Sequence, residues 1–151
     1  MPPITALLHT HDDARHIGRA LESLRPCEQF VVVDHGSTDG TPSVARQYGA
    51  LVVQEDQALA GISHDWVLLL EPREALSEAL ESALYQWKQA DPGHTTAFAV
   101  RLREETPAGW KLRPAEIRLV HRSALHGTSA RPQDAAGAPL LEGDLLRFTG
   151  S

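Results

Sequence analysis

Cysteine is nearly absent. Cys27 is the single thiol among 151 residues, which excludes an internal disulfide and any Cys-rich zinc site. Basic residues are outnumbered, with Lys plus Arg at 14 against Asp plus Glu at 20, a net charge of −6. That balance offers no basic stripe to track a phosphate backbone, so nucleic acid is not an expected partner. Long apolar runs are missing too. The best, Trp66 to Leu70, falls far short of the ~20 residues a membrane helix needs, so no membrane span is expected. Met1-Pro2-Pro3 opens without a basic segment leading into an apolar one, so no signal peptide is expected and the expected address is cytoplasmic. There is no internal repeat and no low-complexity tract. What is present is ordinary globular material, 42% hydrophobic and 23% charged with 11 Gly and 10 Pro, sized for one domain over residues 1–151.

Ile4 to Leu8 is a short apolar run, the pattern of a strand buried on both faces. Asp12 or Asp13 can cap a following helix, where Ile17, Ala20, Leu21 and Leu24 fall at helical spacing before Arg25-Pro26 stops it. Phe30 to Val33 is a second buried strand ending at Asp34. Turn chemistry follows from His35 to Gly40, then Thr41 as an N-cap before Pro42, with Gly49 closing the helix. Ala50 to Val53 and Trp66 to Leu70 predict two more strands. Ser77 caps a longer helix with Leu80, Ala83, Leu84 and Trp87 on one face. Thr96 to Leu102 and Glu116 to Val120 predict strands joined through the turn at Pro107-Ala108-Gly109, and Ser123 to Gly143 predicts a loop. Strands alternating with helices predict an α/β fold with a mostly parallel sheet and a small antiparallel extension.

Ligands of open parallel sheets bind beyond the carboxyl ends of the strands. Three polar clusters sit there: His9 to Asp13, Asp34 to Thr41, and Glu71 to Glu74. A buried strand that ends on a carboxylate and opens into Gly, Ser and Thr suits a nucleoside, with the carboxylate meeting base or ribose and backbone amides meeting phosphate. The same residues also make an ordinary turn and helix cap.

The chain resembles the family 2-type glycosyltransferases of the GT-A fold. The matching pieces are Ile4 to Leu8 leading into Thr10-His11-Asp12-Asp13, the Ala20-Leu21-Glu22-Ser23-Leu24 helix end, and Val31-Val32-Val33-Asp34-His35-Gly36-Ser37-Thr38-Asp39-Gly40-Thr41. Trp66 to Leu70 with Glu71-Pro72-Arg73-Glu74 falls where the family has its fourth strand and acidic metal motif, and Ile117 to Arg122 resembles a later strand of small members that modify cell-envelope saccharides. The resemblance covers residues 1–90 best. It implies a three-layer α/β/α domain that binds a nucleoside-diphosphate sugar and passes the sugar to a saccharide or lipid-linked acceptor. It further implies that His11 stacks on the base, Thr10 and Asp12 line the same pocket, Asp34 hydrogen-bonds the base, and Asp39 braces the turn.

The sequence departs from the family at the metal motif. Glu71 and Arg73 stand where an Asp-x-Asp is usual, and a guanidinium repels a cation rather than ligating it. No metal or other cofactor is therefore expected, and Arg73 is the candidate to meet the diphosphate directly. The stretch between Val53 and His64 is too short for the family's usual helix. For a general base only Asp134, Glu142 and Asp144 are on offer, of which Asp134 and Glu142 are carried as weak catalytic candidates. His9-x-His11-x-Asp13 is superficially similar to the metal run of metallo-β-lactamase-type hydrolases, but only eight residues precede His9, too few for that fold. Cys27 has no paired His nearby in sequence, and Trp66, Trp87 and Trp110 are expected to pack rather than platform a sugar. The alternative function is a catalytically inactive relative serving as a nucleotide-binding or protein-interaction module.

Overall fold

A computed structural model describes residues 2–125 and 137–150. Its elements are β1 Ile4–Thr10, α1 Ile17–Glu22, β2 Gln29–Asp34, α2 Thr41–Gln47, β3 Leu51–Val53, α3 Ala58–Gly61, β4 Trp66–Leu70, β5 Glu74–Leu76, α4 Glu78–Gln89, β6 Ala97–Thr106, β7 Gly109–His121 and β8 Leu140–Arg147. They form one eight-stranded sheet in the order β3-β2-β1-β4-β7-β6-β8-β5. The apolar runs expected as strands are its parallel centre: β1 is paired with β2 on one side (Thr10 opposite Asp34) and with β4 on the other (Leu8 opposite Leu70). Their polar C-terminal extensions accordingly share one edge.

Continuous apolar sequence follows from burial on both faces. On one face, Ile4, Ala6 and Leu8 pack with Ile17, Ala20 and Leu21 of α1, Ala45 of α2, and Leu80, Leu84 and Trp87 of α4. On the other, Leu7, Val31, Val33, Val67, Ile117 and Val120 are covered by Ala58 of α3, Ile62 and Leu125. The second helical layer expected for α/β/α packing is thus reduced to a 3-10 turn, Glu55–Gln57, and the four residues of α3. Even so, the 53–64 stretch does fit a short helix, which sequence length had argued against.

The sheet curls. β5 follows β4 after three residues, too few to span more than ~11 Å, yet β5 pairs antiparallel with β8 beyond β6. Its far margin must therefore bend back beneath β4. Register shifts in β6 at Phe98/Ala99 and Val100/Leu102 supply local bending. Parallel pairing recurs between β6 and β8, while β4–β7, β6–β7 and β5–β8 are antiparallel, so the extension is larger than expected.

Three local expectations are corrected. α1 starts at Ile17 with His16 as its cap, because the Asp13 carbonyl accepts from the His16 and Ile17 N–H groups while the Asp side chains turn elsewhere. Gly40 caps α2 and Thr41 is already helical. Leu140 onward is strand, not loop: Ser77 N–H donates to the Asp144 carbonyl, and Asp144 N–H donates back to Ser77 Oγ (both 3.2 Å). Trp66 and Trp87 pack edge-on at 4.9 Å beside Phe98 in the core, whereas Trp110 is half exposed against Phe148. No helix is long and apolar enough to cross a membrane among the described residues.

Candidate functional site

Two clefts open at the C-terminal edge of the central strands. The first, about 400 Å³, is lined by His9, Asp13, Glu71, Arg73, Glu116, Arg118, Arg147 and Phe148 over a floor of Leu7, Leu69 and Ile117. The second, about 530 Å³, lies beyond β2 and is lined by Asp34, His35, Arg46, Gln54 and Glu55 among others. The divider between them is a stacked histidine pair. His9 Nδ1 and His35 Nε2 are 2.9 Å apart, and His35 Nδ1 lies 3.8 Å from Glu55. One imidazole faces each cleft, so a ligand laid along the edge crosses this pair.

The β1 and β2 loops brace one another through short polar side chains. Asp12 takes φ +53, a left-handed conformation Asp tolerates better than most residues, and its carboxylate accepts from the Thr38 N–H (2.7 Å) and the Asp39 N–H (3.3 Å). Ser37 Oγ accepts from the Asp12 N–H (2.9 Å), and His11 Nδ1–H donates to the His35 carbonyl (2.6 Å). Asp39 accepts from the Thr41 N–H and hydroxyl and from the Ala14 N–H. The Thr41 hydroxyl bond, opposed by slight desolvation, holds the Asp39 carboxyl below its ordinary range.

These bonds sort the residues singled out from the sequence. Asp34 lines the second cleft at the end of β2, its carboxylate accepting from the Ser37 hydroxyl (2.5 Å) and N–H (3.2 Å). Arg73 is exposed and lines the first cleft. His11 is exposed, its ring beside the Asp12 carboxylate (3.3 Å). Thr10 and Asp12 line neither cleft: Thr10 is buried with its hydroxyl donating to Asp13 (2.7 Å), and Asp12 is spent on loop bracing. Glu142 is exposed on β8 and lines neither cleft, Asp144 is paired with Arg101 and Arg103, and Asp134 lies outside the described residues.

What sequence reasoning missed is the charge beneath the first cleft. Glu74 is fully buried, and its carboxylate accepts from both Arg118 terminal nitrogens (2.5 and 2.8 Å) and from Arg147 (2.8 and 3.1 Å). Its Oε1 also accepts from the Glu71 N–H (2.9 Å). Burial alone pushes the Glu74 carboxyl up, but the arginines and that amide outweigh it and hold the group below its ordinary range. The same bonds raise Arg118 and Arg147 against the opposing effect of their burial. Glu116 adds a bond to Arg118 (3.1 Å), and Arg147 lies 3.6 Å from Glu71. Only an Arg-rich late sequence signals this cluster, because its members come from β5, β7 and β8.

No group of three His, Cys, Asp or Glu side chains able to hold a metal ion occurs among the described residues. At the position of the acidic motif, Glu71 faces Arg147 and Arg73 adds a positive charge. The Cys27 thiol is pushed up to about 12 by burial, slightly offset by Lys88, which excludes a thiolate near neutral pH.

No protein-family model matches the chain. Among curated proteins it is 33% identical over 120 residues to a TPR repeat-containing protein of Synechococcus elongatus, covering 72% of this chain and 29% of that one. It is 29% identical over 113 residues to an uncharacterized glycosyltransferase of Rickettsia felis, covering 68% and 40%. It is 28% identical over 96 residues to the lipopolysaccharide core biosynthesis glycosyltransferase LpsC of Rhizobium meliloti, covering 54% and 36%. The chain thus spans only about a third of the length of these relatives. Among solved structures, S. aureus TarS superposes with a TM-score of 0.54 at 19% identity, over 68% of this chain and 22% of that one. The chain has a glycosyltransferase-like fold of the GT-A type.

Proposed function

We propose that the paired clefts bind a nucleoside-diphosphate sugar and that the domain belongs to an enzyme transferring that sugar to a saccharide or lipid-linked acceptor. One observation carries the reading: a single sheet edge holds a cleft with a strand-end carboxylate, Asp34, next to a cleft with a guanidinium, Arg73, that has no carboxylate partner among the described residues, with His9 and His35 between them. The base and ribose occupy the Asp34 side, where His11, which lines neither cleft, is tied to the His35 carbonyl. The diphosphate crosses the histidine pair toward Arg73. Displacement at the anomeric carbon needs the leaving diphosphate's charge offset, and a guanidinium fork matched to phosphate oxygens supplies this without a metal. The LpsC relative, named for lipopolysaccharide core biosynthesis, supports a saccharide acceptor.

A second reading, nucleotide binding without turnover, is favoured by the state of the cleft's carboxylates. Asp13 accepts from Thr10 and the His11 N–H, Glu116 is held by Arg118, Glu71 faces Arg147, and Glu74 is buried. A general base has to reach the acceptor hydroxyl with a free lone pair, and each of these carboxylates is already engaged or buried.

Titration with UDP tests the binding common to both readings. Asp34→Ala removes a charge-assisted hydrogen bond of about 1.5–3 kcal/mol, a roughly tenfold to hundredfold weaker affinity. Equal affinity in wild type and Asp34→Ala contradicts the assignment of this cleft. Release of free sugar or glycosylated product from UDP-sugars then separates the active reading from the inactive one.

A further inference from the structure

A third groove adjoins the first cleft across Phe148. It measures about 520 Å³ and is lined by Arg15, His16, Arg19, Glu105, Phe148 and Gly150. Arg15 and Arg19 are exposed, and neither has a carboxylate at ion-pair distance among the described residues, in a chain whose net charge is −6. The one acid on the groove, Glu105, already accepts from the Gly150 N–H (3.1 Å). Arg19 lies 3.6 Å over the Phe148 ring, and that ring meets Trp110 edge-on at 5.5 Å.

Two guanidiniums on one groove, one of them held over an aromatic face, present a site matched to an anion. Burial, then Arg73, Arg19 and Arg15, lower the His16 imidazole below its ordinary value against the pull of Asp13. Arg73 thus links the two cavities electrostatically. Arg19 covers the Phe148 ring, and Trp110, 45% exposed at its side, offers an apolar face of the kind a pyranose ring covers, near guanidiniums that match a phosphate or carboxylate.

We propose that this groove is an anionic-acceptor subsite, in which Arg15 and Arg19 grip the phosphate of a phosphorylated saccharide whose ring rests on the exposed side of Trp110. The proposal rests on the donor reading above and specifies its acceptor class. The acceptor enters from the α1 side, and its free hydroxyls face the first cleft across Phe148. Both arginines bind; neither touches the reacting bond.

The test is a titration of the full chain with glucose 6-phosphate, glucose and inorganic phosphate, for wild type, R15A/R19A and R15K/R19K. UDP affinity is measured in parallel and reads the donor cleft alone. Expected is glucose 6-phosphate binding that R15A/R19A weakens at least tenfold and R15K/R19K partly restores. Glucose binds far more weakly, and UDP affinity stays within twofold throughout. Equal glucose 6-phosphate affinity in R15A/R19A overturns the proposal, as does inorganic phosphate binding as tightly as the sugar phosphate, which marks a bare anion site. Loss of UDP binding in wild type with sugar-phosphate binding intact overturns the donor reading and leaves the subsite standing.

Discussion

Glu74 has the most exacting environment of any residue in the molecule. Two ions taken fully out of water repay their desolvation only when geometry is good and every remaining lone pair is used, and here two guanidiniums and one amide meet one carboxylate. Removing the charge leaves Arg118, 5% exposed, without its main counterion. Glu74→Gln is expected to cost about 3–5 kcal/mol, read as a lower denaturation midpoint. The pH dependence follows from the direction of the shift. A carboxyl lowered on folding contributes stability that is complete above its ordinary value of 4.5 and is lost as pH falls through the lower folded value. Wild-type stability should drop below pH 4.5 more steeply than that of Glu74→Gln. Parallel pH profiles for the two would remove Glu74 as the cause.

At the scale of elements, the central strands were legible because burial on both faces leaves no alternation, as in Ile4 to Leu8 and Phe30 to Val33. β8 was not. Glu142-Gly143-Asp144 interrupts its apolar residues and reads as a turn, and the strand exists because it pairs with β6 and β5, with the Ser77 N–H donating to the Asp144 carbonyl and the Asp144 N–H to Ser77 Oγ. Gly143 shows the closeness of that fit: it takes φ +87, and a Cβ there would overlap the Leu80 backbone nitrogen at the start of α4. Gly143→Ala adds left-handed strain of about 1–3 kcal/mol to that overlap, so a loss of at least about 2 kcal/mol is expected in a denaturant titration. An unchanged midpoint would show that β8 is not seated against α4 this closely. The candidate site divides in the same way. Asp34 ends β2 and Arg73 lies in the short turn after β4, so both were visible from sequence, whereas Glu74, Arg118, Arg147 and Phe148 meet only through the curl of the sheet.

Across the whole molecule, the acidic excess is not spread evenly. Five arginines gather at one edge, Arg73, Arg118 and Arg147 at the first cleft beside Asp13, Glu71 and Glu116, and Arg15 and Arg19 at the groove beside Glu105. Arg118 and Arg147 are spent on Glu74, which leaves Arg73 as the cleft cation without a carboxylate partner among the described residues. A diphosphate at this edge meets the Arg73 guanidinium, and a divalent ion there would face three arginines beside the cleft's acids. The account therefore centres on metal-independent diphosphate binding. Calorimetric titration of UDP and uridine into wild type and Arg73→Ala, each in EDTA and in Mn²⁺, tests it most directly. UDP affinity in EDTA should match that in Mn²⁺ within about twofold, and Arg73→Ala should weaken UDP by roughly tenfold or more while leaving uridine unchanged. Binding of UDP that vanishes in EDTA, returns with Mn²⁺ and ignores Arg73→Ala would contradict it.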